Sequence, residues 1–308
     1  MFSSQQIQYI LTLTEVQNFS RAAEACFVTQ PTLSMQIKKA EEAVGFPIFD
    51  RNTNPLELTI AGKNLIPLLR EIAADYELIE RLKKQMQGNF IEEIRIGIIP
   101  TISAYLIPKL YETWQAELPT IKLTIEEKKS EEILESIQHK KIDFGIMAGP
   151  VHDERLKSIQ LYQEEIKAFI PTVADEIIEV DKLRTMKPWL LSKGNCLRTQ
   201  MINFCELKES SESAAWNYEG GNVEMLIRMV KANVGYTLVP NFYIPLLAER
   251  ECDFKKIISF EKQSPARSVI GLVQHKNTKW DSIQKIIRSV QHTFNQSHTN
   301  DMLLLEWK

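Results

Sequence analysis

The sequence predicts an α/β protein in three parts: a small helical N-terminal domain with a β-hairpin, one long helix, and a larger domain of strands and helices. Three observations support this prediction. Short helical periods separated by a turn fill residues 1–60, a single apolar repeat spans residues 61–89, and strand-like and helix-like segments alternate from residue 90 onward. With 308 residues, the chain is also longer than one ordinary hydrophobic core requires.

The composition is typical of a globular protein and excludes several classes. Hydrophobic residues make up 44% of the chain and charged residues 25%, which disfavours disorder. The chain has no run of 18 apolar residues and no secretion signal at its N-terminal end, so we expect no membrane association. A cytoplasmic location is therefore expected, where thiols are kept reduced.

Residues 1–60 predict a helix-turn-helix followed by a hairpin wing. Ser20 is a candidate cap for the first helix of the motif, and Pro31 suits the first position of the second helix. The turn cluster 52–55 lies between two short apolar stretches, as in a hairpin. Apolar residues of the second helix recur at spacings of four, three and four: Leu33, Ile37, Ala40 and Val44.

Residues 61–89 predict a linker helix that dimerises the protein. At 1.5 Å per residue, this helix would be about 40 Å long. The alternative is a surface helix that packs on its own domain, because the apolar stripe covers few heptads. The stripe has the spacing of a coiled coil and consists of Leu65, Leu69, Ile72, Tyr76 and Ile79.

The remainder of the chain predicts an open, mostly parallel sheet with helices on both faces. Strand-like IEEIRIGII, IKLTIEE and IDFGIMAG alternate with helix-like AYLIPKLYETWQAEL and SEEILESIQHKK. The helix-then-strand order returns in NVEMLIRMVKANVGYTLVP. Such alternation is typical of α/β domains.

Two of the four cysteines, Cys196 and Cys205, stand nine positions apart in CLRTQMINFC. If this segment is helical, their Cα atoms are about 13 Å apart, whereas a disulfide needs roughly 4.4–6.8 Å. The two residues are therefore either unrelated thiols or partners in a bond that requires the segment to unwind. Cys196 stands where a helix would begin, and the helix dipole together with nearby Arg198 favours its thiolate form.

No other group of residues has the pattern of a catalytic or metal site. His and Cys residues lack the spacing of metal ligands, and the chain has no glycine-rich phosphate loop. We therefore expect no metal and no cofactor. Cys26 is expected to be a packing residue of the helix-turn-helix, and Cys252, between two acidic residues, a bystander.

The chain resembles the LysR-type transcriptional regulators. The stretch NFSRAAEACFVTQPTLSMQIKKAEEAVGFPIFDR carries the resemblance, and LTIAG, IRIGIIPT, IDFGIM and GYTLVP extend it. GNCLRTQMINFC with IPTISAYLIP is similar to the OxyR branch, whose members are peroxide-sensing activators. The resemblance implies a winged helix-turn-helix and a two-lobed, periplasmic-binding-protein-like regulatory domain over residues 90–308. Lobe I would cover about 90–162 and 268–300, and lobe II about 163–267.

The resemblance also implies roles for individual residues. Cys196 would react with hydrogen peroxide, and Cys205 would resolve the product as a reversible disulfide. Thr101 and Ser130 would supply hydroxyl groups that position the peroxide. The histidine that usually precedes the first cysteine in this branch is replaced by Asn195, so the thiolate must depend on other groups.

The implied partners are pseudo-palindromic double-stranded promoter DNA, RNA polymerase and further copies of the chain, as a homodimer or homotetramer. Residues 1–60 hold four basic and six acidic residues, a net charge of −2, so we expect modest non-specific DNA affinity. Base edges and phosphates would be contacted by residues of the second helix and the wing: Gln30, Pro31, Thr32, Ser34, Gln36, Lys38, Lys39 and Arg51.

Two other functions are compatible with these patterns. The first is a LysR-type regulator whose cleft between lobes binds a small metabolite, with both cysteines silent. The second is a thiol peroxidase, because a cysteine that reacts with peroxide performs the first step of that enzyme. The helix-turn-helix disfavours the peroxidase, since an enzyme has no use for it, and we expect no enzyme.

Overall fold

A computed structural model describes residues 2–87, 91–172, 176–207, 222–248, 256–261, 264–294 and 302–306. The chain forms two compact units, residues 1–90 and 91–308. The first unit contains α1 (Ser4–Val16), α2 (Phe19–Ala25), α3 (Gln30–Val44), β1 (Phe49–Asp50), β2 (Glu57–Leu58) and α4 (Ile60–Met86). None of the described helices is long and apolar enough to cross a membrane.

The second unit begins with strands and helices that alternate. Its elements in chain order are β3 (Glu92–Ile98), α5 (Pro100–Glu117), β4 (Ile121–Glu127), α6 (Ser130–Gln138), β5 (Phe144–Ala148), β6 (Leu156–Phe169), β7 (Ile177–Ile178), α7 (Val180–Arg184), α8 (Cys196–Cys205), α9 (Val223–Ala232), β8 (Thr237–Pro240), a short 3-10 helix (Asn241–Tyr243), α10 (Ile244–Ala248), β9 (Ile257–Phe260), β10 (Ser264–Gln274), α11 (Trp280–Phe294) and β11 (Met302–Leu304).

The helix-turn-helix and its wing are confirmed, with one correction to the capping. Asn18, not Ser20, caps α2, and its side-chain oxygen accepts from the N–H of Arg21 at 3.0 Å. Asn is among the strongest capping residues, and here it stands one position ahead of the helix, whereas Ser20 is already inside it. Strands β1 and β2 form the antiparallel hairpin of the wing.

The carboxylate of Glu41 links α3 to the wing. Glu41 accepts from the N–H groups of Ile48 and Phe49, at 2.9 and 3.2 Å. Its second oxygen lies 3.0 Å from the guanidinium of Arg51, and the Glu41 side chain is only 12% exposed. Glu41, one of the two acidic residues of α3, therefore has a structural role, which explains part of the unit's negative charge.

Some side chains near the start of the linker helix α4 are buried, and others further along it are exposed. Leu69 is 1% exposed and Leu65 is half-buried, and both pack in the core of the N-terminal unit. These two residues therefore pack on the helix's own domain, which the coiled-coil spacing also matches, and their part in joining subunits stays a prediction. Ile72, Tyr76 and Ile79, by contrast, are 42%, 44% and 61% exposed.

The second unit is built on one nine-stranded sheet with the order β4-β3-β5-β10-β6-β9-β7, to which β11 and β8 add at β10 and β6. β3 is parallel to both β4 and β5, as predicted. β10, however, is antiparallel to β5 and β6, so the mostly parallel expectation is wrong at the centre. β6 and β10 are long neighbouring strands of 14 and 11 residues, and they run in opposite directions.

We predict that two leucine-sized residues of α4 respond differently to truncation. Leu69→Ala leaves a cavity in the core of the N-terminal unit and should cost about 2–5 kcal/mol of its unfolding free energy. Ile72→Ala removes an exposed side chain, so it should leave that free energy nearly unchanged and weaken self-association instead. Urea unfolding and sedimentation velocity over a dilution series measure the two effects. Sedimentation of Ile72→Ala that matches the parent at every concentration would contradict a role in assembly.

Candidate functional site

The amino ends of two helices meet at the sulfur of Cys196. This residue is the first of α8 and is 2% exposed. The hydroxyl of Ser130, the first residue of α6, lies 3.3 Å from the Cys196 sulfur and donates to it. Unpaired N–H groups and the positive ends of helix dipoles lie at helix starts, so the Cys196 sulfur lies where two such helix ends come together.

The loop before α8 has a backbone conformation that places Cys196 beside Ser130. Gly194 has a φ of +86°, a region that favours glycine. Asn195 precedes Cys196 in extended conformation, and its side-chain amide donates to the carbonyl and hydroxyl oxygens of Ser192 at 3.0 and 2.9 Å. Asn195 therefore secures the loop and makes no side-chain cap for α8.

Two predicted members of the site, Arg198 and Thr101, have hydrogen-bond partners other than Cys196. Arg198 donates to the backbone carbonyl of Leu191 at 2.8 Å, and within the described residues it makes no hydrogen bond to Cys196. Thr101, in the first turn of α5, is 3% exposed and accepts from Arg267 at 2.9 Å. Arg198 is therefore a loop-holding residue, and Thr101 belongs to the surroundings of Arg267.

Arg267 is the cation that the sequence analysis missed. It is fully buried on β10, donates to the carbonyl of Thr101 at 3.1 Å, and pairs with the fully buried Glu164 at 2.8 Å. Burial acts to lower the pKa of Arg267. The groups around it, Glu164 above all and Cys196 among others, act in the opposite direction, and the net shift of the pKa is upward. Arg267 is thus bonded to both Thr101 and Glu164.

A buried polar network completes the surroundings of the cation. Glu164 accepts from the hydroxyl of Tyr105 at 2.8 Å and from the N–H of Phe242 at 3.0 Å, and Tyr105 lies 2.7 Å from the hydroxyl of Tyr162. Burial raises the pKa of Glu164, and Arg267 opposes that rise. Every oxygen of the carboxylate therefore has a partner, which is what a buried charge requires.

Cys205 ends α8 and is fully buried as a free thiol, as is Cys196. Burial raises the pKa of the Cys205 thiol, while neighbouring Tyr236 and Arg184 act to lower it. Arg184 also donates to the Cys205 carbonyl at 3.3 Å and pairs with Glu206 at 2.8 Å. The segment between the two cysteines is helical as predicted, so nine residues of helical rise, about 13 Å, separate them.

The predicted DNA-contacting residues divide by exposure and by partner. Gln30, Pro31, Lys38 and Lys39 are exposed on α3. The others are half-buried or already bonded within the unit: Thr32 to the hydroxyl of Thr29 at 2.8 Å, Gln36 to Gln6 at 3.3 Å, and Arg51 to Glu41, while Ser34 is half-buried. The ion pair of Arg51 reduces the charge that this residue can offer to a phosphate.

A cavity of about 750 Å³ opens beside Thr101. Its walls are mainly apolar, with two carboxylates and one amide, and are formed by Pro100, Thr101, Ala104, Pro108, Glu127, Asn222, Val223, Glu224, Tyr243, Leu246 and Leu247. Within the described ranges, no three His, Cys, Asp or Glu side chains come together as a metal site. Cys252 lies outside the described residues.

A winged helix-turn-helix joined by a long helix to an α/β domain defines a bacterial DNA-binding transcription regulator. Two family descriptions match the chain: "Bacterial regulatory helix-turn-helix protein, lysR family" over residues 4–63 and "LysR substrate binding domain" over residues 87–279. The chain belongs to the LysR family.

Similar proteins extend over most of the chain. The "DNA-binding transcriptional dual regulator OxyR" of Escherichia coli is 28% identical over 92% of this chain and 94% of its own. The regulator EstR of Acinetobacter baylyi is 27% identical over 95% and 98%. A full-length OxyR variant of Pseudomonas aeruginosa has the same fold, with a TM-score of 0.70 at 22% identity over 98% and 99% of the two chains. Overall identity therefore does not separate OxyR from EstR as a guide to function.

We predict that Arg267→Met destabilises the second unit in a pH-dependent way. The variant leaves Glu164 buried without its cation, at a cost of about 3–5 kcal/mol at neutral pH. The folded-state pKa of Glu164 is already raised and would rise further. A carboxyl with a raised folded pKa adds stability at low pH that is lost as pH rises through that pKa, so the deficit should shrink from pH 7 towards pH 5.

Urea unfolding at the two pH values measures this effect. The matched control is the double variant Arg267→Met with Glu164→Gln, which has no carboxyl at this position and should not show the pH dependence. A deficit of equal size at both pH values in the single variant would mean that Glu164 is not the group responsible.

Proposed function

We propose that the chain is a transcription regulator that senses hydrogen peroxide through a reversible disulfide between Cys196 and Cys205. One observation carries the proposal: the Cys196 sulfur lies at the amino ends of two helices, bonded by Ser130, with a second buried thiol at the other end of the same helix. The names of several relatives, "Hydrogen peroxide-inducible genes activator" among them, support it.

The chemistry has two steps. The Cys196 thiolate attacks one peroxide oxygen, the O–O bond breaks, and the leaving hydroxide takes a proton to become water, which leaves a sulfenic acid. The Cys205 thiol then loses its proton and its sulfur attacks the sulfenic sulfur. The S–S bond forms as the S–O bond breaks, and the leaving hydroxide takes up that proton to become a second water. Ser130 supplies a hydroxyl that can donate to the thiolate or to the peroxide, and Arg267 supplies positive charge at a site from which bulk water is excluded.

The second step forces a change of conformation. The two sulfurs belong to opposite ends of α8, and a disulfide needs Cα atoms within roughly 7 Å. The helix must therefore unwind, and the bond selects a rearranged state that is rare in the reduced protein. Unwinding would disturb the contacts of Arg184 with Cys205 and Glu206, and such local changes can repack an interface between subunits.

The same proposal assigns partners to the other surfaces. The amino end of α3 would enter the major groove of double-stranded, pseudo-palindromic promoter DNA, with Gln30 near base edges and Lys38 and Lys39 near phosphates. Phe27, 96% exposed in the turn before α3, would add an apolar contact to the DNA. Exposed Ile72, Tyr76 and Ile79 would join copies into a homodimer or homotetramer that acts on RNA polymerase in the cytoplasm. The other exposed large hydrophobic residues of α4 are Ile60, Leu68, Leu78, Leu82 and Met86.

We predict that the two cysteines have separable effects. Cys196→Ser should abolish the response of the DNA footprint to a stoichiometric dose of peroxide, because the nucleophile is lost. Cys205→Ser should still form a sulfenic acid at Cys196, trapped by a dimedone probe, but its footprint should not change. Peptide mass mapping should find Cys196 linked to Cys205 in the parent protein.

Cys26→Ser is the matched control, because Cys26 is a half-buried free thiol in the other unit, and it should respond as the parent does. A parent footprint that is identical with and without peroxide, with both thiols still reduced, would overturn the proposal.

We predict two distinct losses at the DNA interface. Gln30→Ala removes a base-edge contact and should relax sequence preference at one position by about 1–3 kcal/mol. Lys38→Ala removes a phosphate contact, so it should weaken all sequences alike and reduce the salt slope by about one. Titrations of a specific and a scrambled duplex at several salt concentrations separate the two effects. An equal loss of specificity from both substitutions would contradict the assignment.

A second candidate is a regulator that responds to a small metabolite. The cavity of about 750 Å³ favours it, because that volume suits a small organic ligand and the lining combines apolar walls with Glu127 and Asn222. Calorimetry with a panel of small amines and acids, together with a footprint insensitive to oxidants, would support this alternative. No contact in the described structure favours the thiol peroxidase.

A further inference from the structure

The strand β11 is held at the start of β10, directly beside the buried cation. Met302, Leu303 and Leu304 pair in parallel with Ser264, Pro265 and Ala266. The N–H of Leu305 then donates to the carbonyl of Ala266 at 2.7 Å, and the Leu305 side chain is only 8% exposed in the main core. Arg267 is the next residue of β10, so this strand is anchored against the backbone that carries Arg267.

The same segment is also bonded to the helix between the two cysteines. The side-chain amide of Gln200, at the middle of α8, donates to the carbonyl of Leu305 at 3.1 Å. Gln200 is fully buried, and its own side-chain oxygen has no hydrogen-bond partner among the described residues. An unpaired buried oxygen costs free energy. Among the described residues, the bond from the Gln200 amide to the Leu305 carbonyl is the hydrogen bond that offsets the burial of this side chain.

We propose that Gln200 is a positioning residue of the redox site, which holds α8 in its reduced, helical form by binding Leu305. The inference rests on the proposed disulfide. Gln200 lies one helical turn beyond Cys196, within the stretch that must unwind before Cys196 can reach Cys205. Unwinding withdraws the amide and leaves the buried Leu305 carbonyl without its donor, so the reduced state gains from the bond and the oxidised state does not.

The coupling is reciprocal. If β11 and Leu305 stabilise the helical form of α8, then unwinding of α8 weakens the attachment of β11 by the same free energy. Oxidation should therefore loosen residues 302–306 at the start of β10, which carries Arg267 one residue further on. The bond makes the disulfide easier to reduce, because it stabilises the dithiol state selectively.

The test compares the thiol–disulfide equilibrium of the parent with that of Gln200→Met, which keeps the side-chain size and removes the donor. In a glutathione redox buffer, the variant's equilibrium constant should shift roughly tenfold towards the disulfide, a reduction potential about 30 mV more negative. The matched control is Asn203→Ser, an exposed position on the same helix where the two residues have similar helix propensity, and it should leave the equilibrium constant unchanged.

Hydrogen exchange of the parent protein provides a measurement that needs no variant. The amide of Leu305 should exchange faster in the oxidised protein than in the reduced protein, because its bond to Ala266 is weakened. An equal potential for parent and Gln200→Met, together with unchanged exchange at Leu305, would overturn the role of Gln200 while the sensor proposal stands. Absence of the Cys196–Cys205 disulfide in the parent would instead refute the sensor proposal itself.

Discussion

The second unit depends on the buried ion pair of Arg267 and Glu164. Both side chains are fully shielded from water, so neither charge would be tolerated without the other. The pair joins the antiparallel strands β6 and β10 at the centre of the sheet, and through Thr101 it also fixes the first turn of α5. One interaction thus fixes two central strands and the start of α5 relative to one another.

The site follows from this arrangement together with the short helices beside it. This chain has Asn195 where a histidine would stand ahead of the cysteine, and Asn195 bonds to Ser192 in the loop before α8. The amino ends of α6 and α8 add partial positive charge, and Ser130 adds a donor at 3.3 Å. Several moderate effects therefore act on one sulfur, and the loss of any single one is expected to weaken the site without abolishing it.

The sequence predicted local features well and long-range ones poorly. The helix-turn-helix, the wing and the helix between the cysteines follow from periodicity and turn residues, and each was confirmed. The Arg267–Glu164 pair joins residues 103 positions apart, and no local pattern marks either residue as buried. Leu69 shows a second limit, because the same heptad spacing describes packing on a partner and packing on the helix's own domain.

Gln200 lies at the middle of α8, the short helix that the proposed disulfide would unwind. Nine residues of helix hold two thiols about 13 Å apart, so the resting state cannot form the bond by thermal motion of side chains alone. A helix of ten residues is marginal without tertiary contacts, and α8 is held by apolar packing of Leu197 and Met201 in the core. Its polar contacts include Ser130 and Leu191 near its start, Leu305 at its middle and Arg184 at its end. Each polar contact contributes only about 0.5–1.5 kcal/mol net. In the proposed sensor, the bond between the sulfurs would act against these modest individual contributions and select an unwound state of α8.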